Sequence, residues 1–172
     1  MPALIKDKQI VSDQWAVVAK DAALPSDEIA TGQALLLPLA LWLQHRNELS
    51  TINTVGIWID SDEEPAQFIG DDAAITQQLK ALPVIAINFP VFSDGRGYSY
   101  ARQLRDQFGF GGELRAIGDV LKDQLFFYQR CGFNSFAARA DRDIDQALNS
   151  LNDFSVCYQA TNDSAMPAFK KR

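Results

Sequence analysis

Two hydrophobic periods alternate along the chain. Short runs rich in β-branched and aromatic residues occur at Trp15–Ala19, Val55–Asp60, Val84–Phe89, Glu113–Ile117, Ser135–Arg139 and Ser155–Tyr158. Between them, apolar positions recur every three or four residues at Gln33–Gln44, Asp71–Ala81, Tyr98–Phe108, Val120–Cys131 and Ile144–Leu151. Strands separated by helical segments predict βαβ units. The expected fold is a single α/β domain with a predominantly parallel sheet flanked by helices. An incomplete or dimer-completed βα barrel is the alternative, since each strand–helix–strand unit also suits a barrel fragment. Six strands are too few for the eight-stranded version.

Local signals sharpen the pattern. Ser93 and Asp94 precede the third helix and Asp119 the fourth, where such side chains accept the free amides of a first turn. Gly109 and Gly132 follow helix ends, where a left-handed residue is favoured. Ala101, Leu104 and Phe108 share one face of the third helix, with Tyr98, Arg102 and Arg105 as the neighbouring stripe. The fourth helix is apolar over much of its circumference, so it is central or covered by a partner, a second copy of the chain included. Asp60–Asp72 reads as a surface loop. Residues 1–160 form the expected domain, and residues 161–172 a flexible tail ending in Lys170, Lys171 and Arg172.

Composition removes several functions. The 172 residues carry a net charge of −6, which lacks the basic footprint of a nucleic-acid or anionic-membrane binder. One histidine, His45, and two cysteines, Cys131 and Cys157, are too few for a four-ligand zinc site or an iron–sulfur cluster held by one chain. There is no CxxC. The longest apolar stretch, Ala34 to Leu43, contains Pro38 and is too short to span a bilayer. A reduced, cytoplasmic protein with no metal and no cofactor is expected.

Charge is uneven, and that gives the candidate chemistry. Six of the nine arginines lie between Phe92 and Arg139, a segment of net charge +2 in an otherwise anionic chain. Arginine presents a planar fork suited to carboxylate, phosphate, sulfate or sulfite. Structural pairing with Asp94, Asp106, Glu113, Asp119 and Asp123 is the competing reading. Ser93-Asp94-Gly95-Arg96-Gly97 follows the third predicted strand, and ligands of open parallel sheets bind beyond strand C-termini. Gly95 and Gly97 would let backbone approach an oxyanion, with Arg96 above it. Asp60, Asp119 and Arg139 follow other strands and would converge on the same rim. Anion binding is assigned to Gly95, Arg96, Gly97 and Arg139, and the catalytic candidates are Asp94 and Asp119. Arg102 and Arg105 are candidate partner-surface residues. Cys131 and Cys157 read as inert.

Three segments also carry a resemblance: LPVIAINF, FPVFSDGRGYSYARQLR (Phe89–Arg105) and GELRAIGDVLKDQLFFYQRCGFNSF (Gly112–Phe136). Across Leu82 to Phe136 the chain resembles an uncharacterised bacterial family, domain of unknown function 934. Its members are described as oxidoreductases linked to sulfite reduction, often encoded beside assimilatory sulfite reductase and sulfonucleotide reductase. The resemblance implies a role in sulfur assimilation, with one of those enzymes as partner. It supplies no catalytic set, and no flavin, haem, nicotinamide or dithiol signature supports the oxidoreductase description. An accessory protein of assimilatory sulfite reduction that holds a small oxyanion is the leading expectation. An enzyme acting on a small anion at the same rim is the alternative.

Overall fold

The computed structural model describes residues 2–154 and 157–162. Eight strands form one sheet: β1 (Ala3–Lys6), β2 (Gln9–Ser12), β3 (Ala16–Val17), β4 (Leu35–Pro38), β5 (Val55–Ile59), β6 (Val84–Phe89), β7 (Glu113–Gly118) and β8 (Ser135–Phe136). Their order is β2-β1-β8-β7-β6-β5-β4-β3. From β3 to β8 every pairing is parallel and sequential, while β1 pairs antiparallel with both β2 and β8. The single α/β domain with a mainly parallel sheet is thus as expected.

Sequential parallel order places the crossovers on one face, because such connections share a hand. The helices are α1 (Ser26–Ala30), α2 (Leu39–Leu49), α3 (Pro65–Ile69), α4 (Ala73–Lys80), α5 (Arg96–Arg102), α6 (Leu125–Cys131) and α7 (Ile144–Ser150). Trp42, Leu79, Ala101, Tyr128 and Ala147 from five of them join Leu37, Ile57, Ile85, Leu114 and Phe136 of the strands in one core. The opposite face carries the alternate strand positions. There Leu36, Trp58, Val84, Ala86 and Ile117 cluster beneath Trp15.

That second face is concave. β2 and β3 lie at opposite edges, yet only Asp13, Gln14 and Trp15 join them. Such a link reaches about 14 Å, whereas eight flat strands would span about 34 Å. The sheet must therefore curl until its edges approach, making a half-barrel filled by side chains. Charged groups reinforce the curl. Arg115 of β7 is buried on the concave face, with Nη1 2.8 Å from Asp13 Oδ1 and Nη2 2.7 Å from Glu113 Oε1. Lys6 of β1 reaches the other Glu113 oxygen at 2.7 Å. Burial alone would raise the Glu113 pKa, but Lys6, Arg115 and Ser135 outweigh it and hold the carboxyl below its ordinary value.

The structure departs from the sequence pattern at several places. Gln33–Gln44 is not one helix: Leu35–Pro38 is a strand and α2 starts at Leu39. Pro38 disfavours helical backbone at Leu37, and all four strand residues are buried. The Ala3–Ser12 hairpin had no counterpart in the hydrophobic pattern. Asp60–Asp72 contains α3, and Ser61, Glu63 and Pro65 are buried rather than on a surface loop. Asp119 does not cap a helix; the chain makes a 3₁₀ turn at Lys122–Gln124 before α6. Of the expected strand Ser155–Tyr158, residues 155 and 156 lie outside the described residues, and Cys157 and Tyr158 are not in a strand. Residues 163–172 of the expected tail also lie outside. Among the described residues, no helix is long and apolar enough to cross a membrane.

Candidate functional site

The C-terminal ends of the parallel strands carry the candidate residues, as strand topology requires. After β6, Asp94 folds back on the following turn and its Oδ1 accepts the Arg96 amide at 3.1 Å. The same carboxylate takes Arg96 Nε at 3.0 Å and Nη2 at 2.7 Å. Nη2 also reaches Ser61 Oγ beyond β5 at 3.1 Å. The Arg96 guanidinium accordingly pushes the Asp94 pKa down to about 2. So weak a base suits proton abstraction at neutral pH poorly.

Gly95 and Gly97 differ. A Cβ on Gly95 would meet nothing within 4 Å. One on Gly97 would fall 2.5 Å from the Phe89 ring. Gly97 therefore lets α5 lie against β6, which is a packing role rather than a ligand approach.

Arg139, after β8, also closes on carboxylates. Its Nε and Nη2 each lie 2.9 Å from Asp141, and Nη1 lies 3.0 Å from Asp119 Oδ1. The other Asp119 oxygen accepts the Phe92 amide at 2.9 Å. Both oxygens of this catalytic candidate are thus engaged. Further round the rim, Lys20 beyond β3 joins Asp60 at 2.8 Å and Asp62 at 2.9 Å. Asn88 of β6 donates to Asp60 at 2.9 Å. Asp60, Asp94, Arg96, Asp119 and Arg139 all stand at strand C-termini, linked as Asp94–Arg96–Ser61 on one side and Arg139–Asp119–Phe92 on the other.

Arg102 and Arg105 part company. Arg102 is half-exposed, pairing with Asp106 at 2.8 Å and Asn162 at 2.7 Å. Arg105 sits in a π-helical turn at Gln103–Gln107 and points inward. It donates to the carbonyls of Gly132, Phe110 and Gly112 at 2.7–2.9 Å, so it is no open partner surface.

Sequence reasoning overlooked the exposed part of this rim. Val91 and Phe92 are 51% and 54% exposed, in the loop between β6 and α5. Phe92 is nevertheless fixed: its amide is bound by Asp119 and its carbonyl accepts Gln124 Nε2 at 2.6 Å. Two apolar residues next to a Ser-Asp-Gly turn were the available signal. Lys20 and Ser61 carried none. Among the described residues, no group of three or more His, Cys, Asp or Glu side chains is placed to hold a metal ion. Cys131 and Cys157 are both half-buried thiols.

Comparison with curated proteins and with solved structures gave no match. The profile of a family described as bacterial protein of unknown function (DUF934) matches residues 56–169, which span β5 to β8 and the whole Asp60–Arg139 rim. The chain belongs to that family.

Proposed function

We propose that this is a cytoplasmic accessory protein of assimilatory sulfite reduction, which docks on the sulfite reductase through the strand C-terminal rim. The sulfur link rests on the resemblance of Leu82–Phe136. The docking reading rests on the fixed, solvent-facing Val91–Phe92 loop. An aromatic side chain on a backbone pinned at both N–H and C=O loses little entropy when it is buried by a partner. Aromatic residues of this kind dominate interface energetics, and arginines are enriched beside them. Arg96 and Arg139 flank the loop with their carboxylates and supply a polar border.

The rim favours docking over oxyanion capture. Asp94 and Ser61 occupy Arg96, while Asp119 and Asp141 occupy Arg139. A sulfite or sulfate ion would have to displace those carboxylates. Deleting the gene should impair growth on sulfate or sulfite and spare growth on cysteine. Restoring the gene with Phe92→Ser should fail to rescue. Equal growth on all three sulfur sources removes the sulfur link, and full rescue by Phe92→Ser removes the docking loop.

A further inference from the structure

The other end of the sheet holds a cation of a different kind. Arg96, Arg102, Arg115 and Arg139 each pair with a carboxylate within 3 Å. Arg105 has no carboxylate partner among the described residues. It is half-buried, and three backbone carbonyls and Asn134 Oδ1, the last at 3.4 Å, are its acceptors. Carbonyl dipoles orient a guanidinium but do not neutralise it. The loss of hydration lowers the Arg105 pKa, with Asp7 opposing. A half-buried cation held this way is electrostatically incomplete.

Arg105 borders a cavity of about 380 Å³, lined also by Gln129, Gly132, Phe133, Asn134 and Asn162. Among the described residues, no carboxylate lines it. Neighbouring acids are engaged elsewhere: Asp106 holds Arg102 and Asn162, and Asp7 accepts from Asn134 at 3.0 Å. The Gln129 side-chain oxygen is shut off from solvent without a partner. An amide can rotate to present either its oxygen or its nitrogen. The cavity therefore combines a guanidinium that meets no carboxylate among the described residues with amide groups able to donate or accept.

We infer that this cavity, at the N-terminal ends of β7 and β8, binds a small organic anion through a carboxylate or phosphate head on Arg105. Asn134, Asn162 and Gln129 would hydrogen-bond its polar body. The site is separate from the rim and independent of the docking proposal. Its volume exceeds what an inorganic ion fills, so a metabolite-sized anion is the class that suits it.

Calorimetric titration of the full chain with inorganic phosphate, citrate and glutamate tests the site. At least one probe should bind at millimolar concentration or tighter. Arg105→Lys keeps the charge but loses the planar fork, and should weaken that binding about tenfold or more. Gln129→Glu is nearly isosteric, so the fold should survive, and its carboxylate should repel the ligand to the same degree. Arg96→Ala should leave binding unchanged. Three results overturn the inference: no binding by any probe, equal affinity in folded Gln129→Glu, or a loss caused by Arg96→Ala instead.

Discussion

Gly97, Arg115 and Asp94 show how single residues are committed. Gly97→Ala drives a methyl group into Phe89 and should cost about 1–3 kcal/mol in urea unfolding. Gly95→Ala meets open space and should stay within about 0.5 kcal/mol of the parent. Equal losses would show that the two glycines share one role. Arg115 joins its own strand β7 to Asp13 of the link between β2 and β3, from a side chain only 3% exposed. Arg115→Ala leaves Asp13 without its cation and Glu113 with Lys6 alone, and should cost about 3–5 kcal/mol; a loss under 1 kcal/mol would mean that water replaces the pair. Asp94 and Glu113 both release protons more readily folded than unfolded. Their contributions are complete above the ordinary carboxylate value and fade as pH falls through the folded values. For Asp94 the window runs from 3.8 down to about 2. Melting temperatures should fall across that window, and Asp94→Asn should flatten the fall. An unchanged slope in the variant would detach Asp94 from acid stability.

The hairpin of β1 and β2 closes the sheet, and its turn is strained. Asp7 and Lys8 both have positive φ, 48° and 63°. Aspartate tolerates that conformation, lysine poorly, and Asp-Gly is a preferred pair for such a turn. Lys8→Gly should stabilise the protein by about 0.5–1 kcal/mol; a loss would mean that the Lys8 side chain holds the hairpin by contacts. This turn also explains why the hairpin was not legible: Asp7-Lys8 lacks the glycine that marks a two-residue loop. β4 was missed for another reason. Leucine favours helices, so Leu35–Leu37 merged with α2, although Pro38 marked the boundary. The central elements were readable because their strands are buried on both faces and Asp72 caps α4 through the amides of Ala74 and Ile75. At the site, Asp94, Arg96, Asp119 and Arg139 were placed by strand order alone. Their mutual pairing was not readable, since it depends on how far the loops fold back. Arg105 sat in the right stripe, but the π-helical turn swings it toward Gly132.

The molecule as a whole separates two ends of one curled sheet. Its convex face is covered by helices and its concave face is filled by Trp58, Leu36 and the Arg115 network, so the sheet itself is covered on both faces. The strand C-terminal rim has its charges paired and its aromatic loop fixed outward, and the proposed docking on a protein rests on that arrangement. Binding of the purified full chain to the purified sulfite reductase, with Phe92→Ser alongside, tests this most directly. Saturable binding by the parent is expected, with a loss of about tenfold or more in Phe92→Ser at unchanged melting temperature. Absence of binding by the parent, or equal binding by the variant, would contradict it.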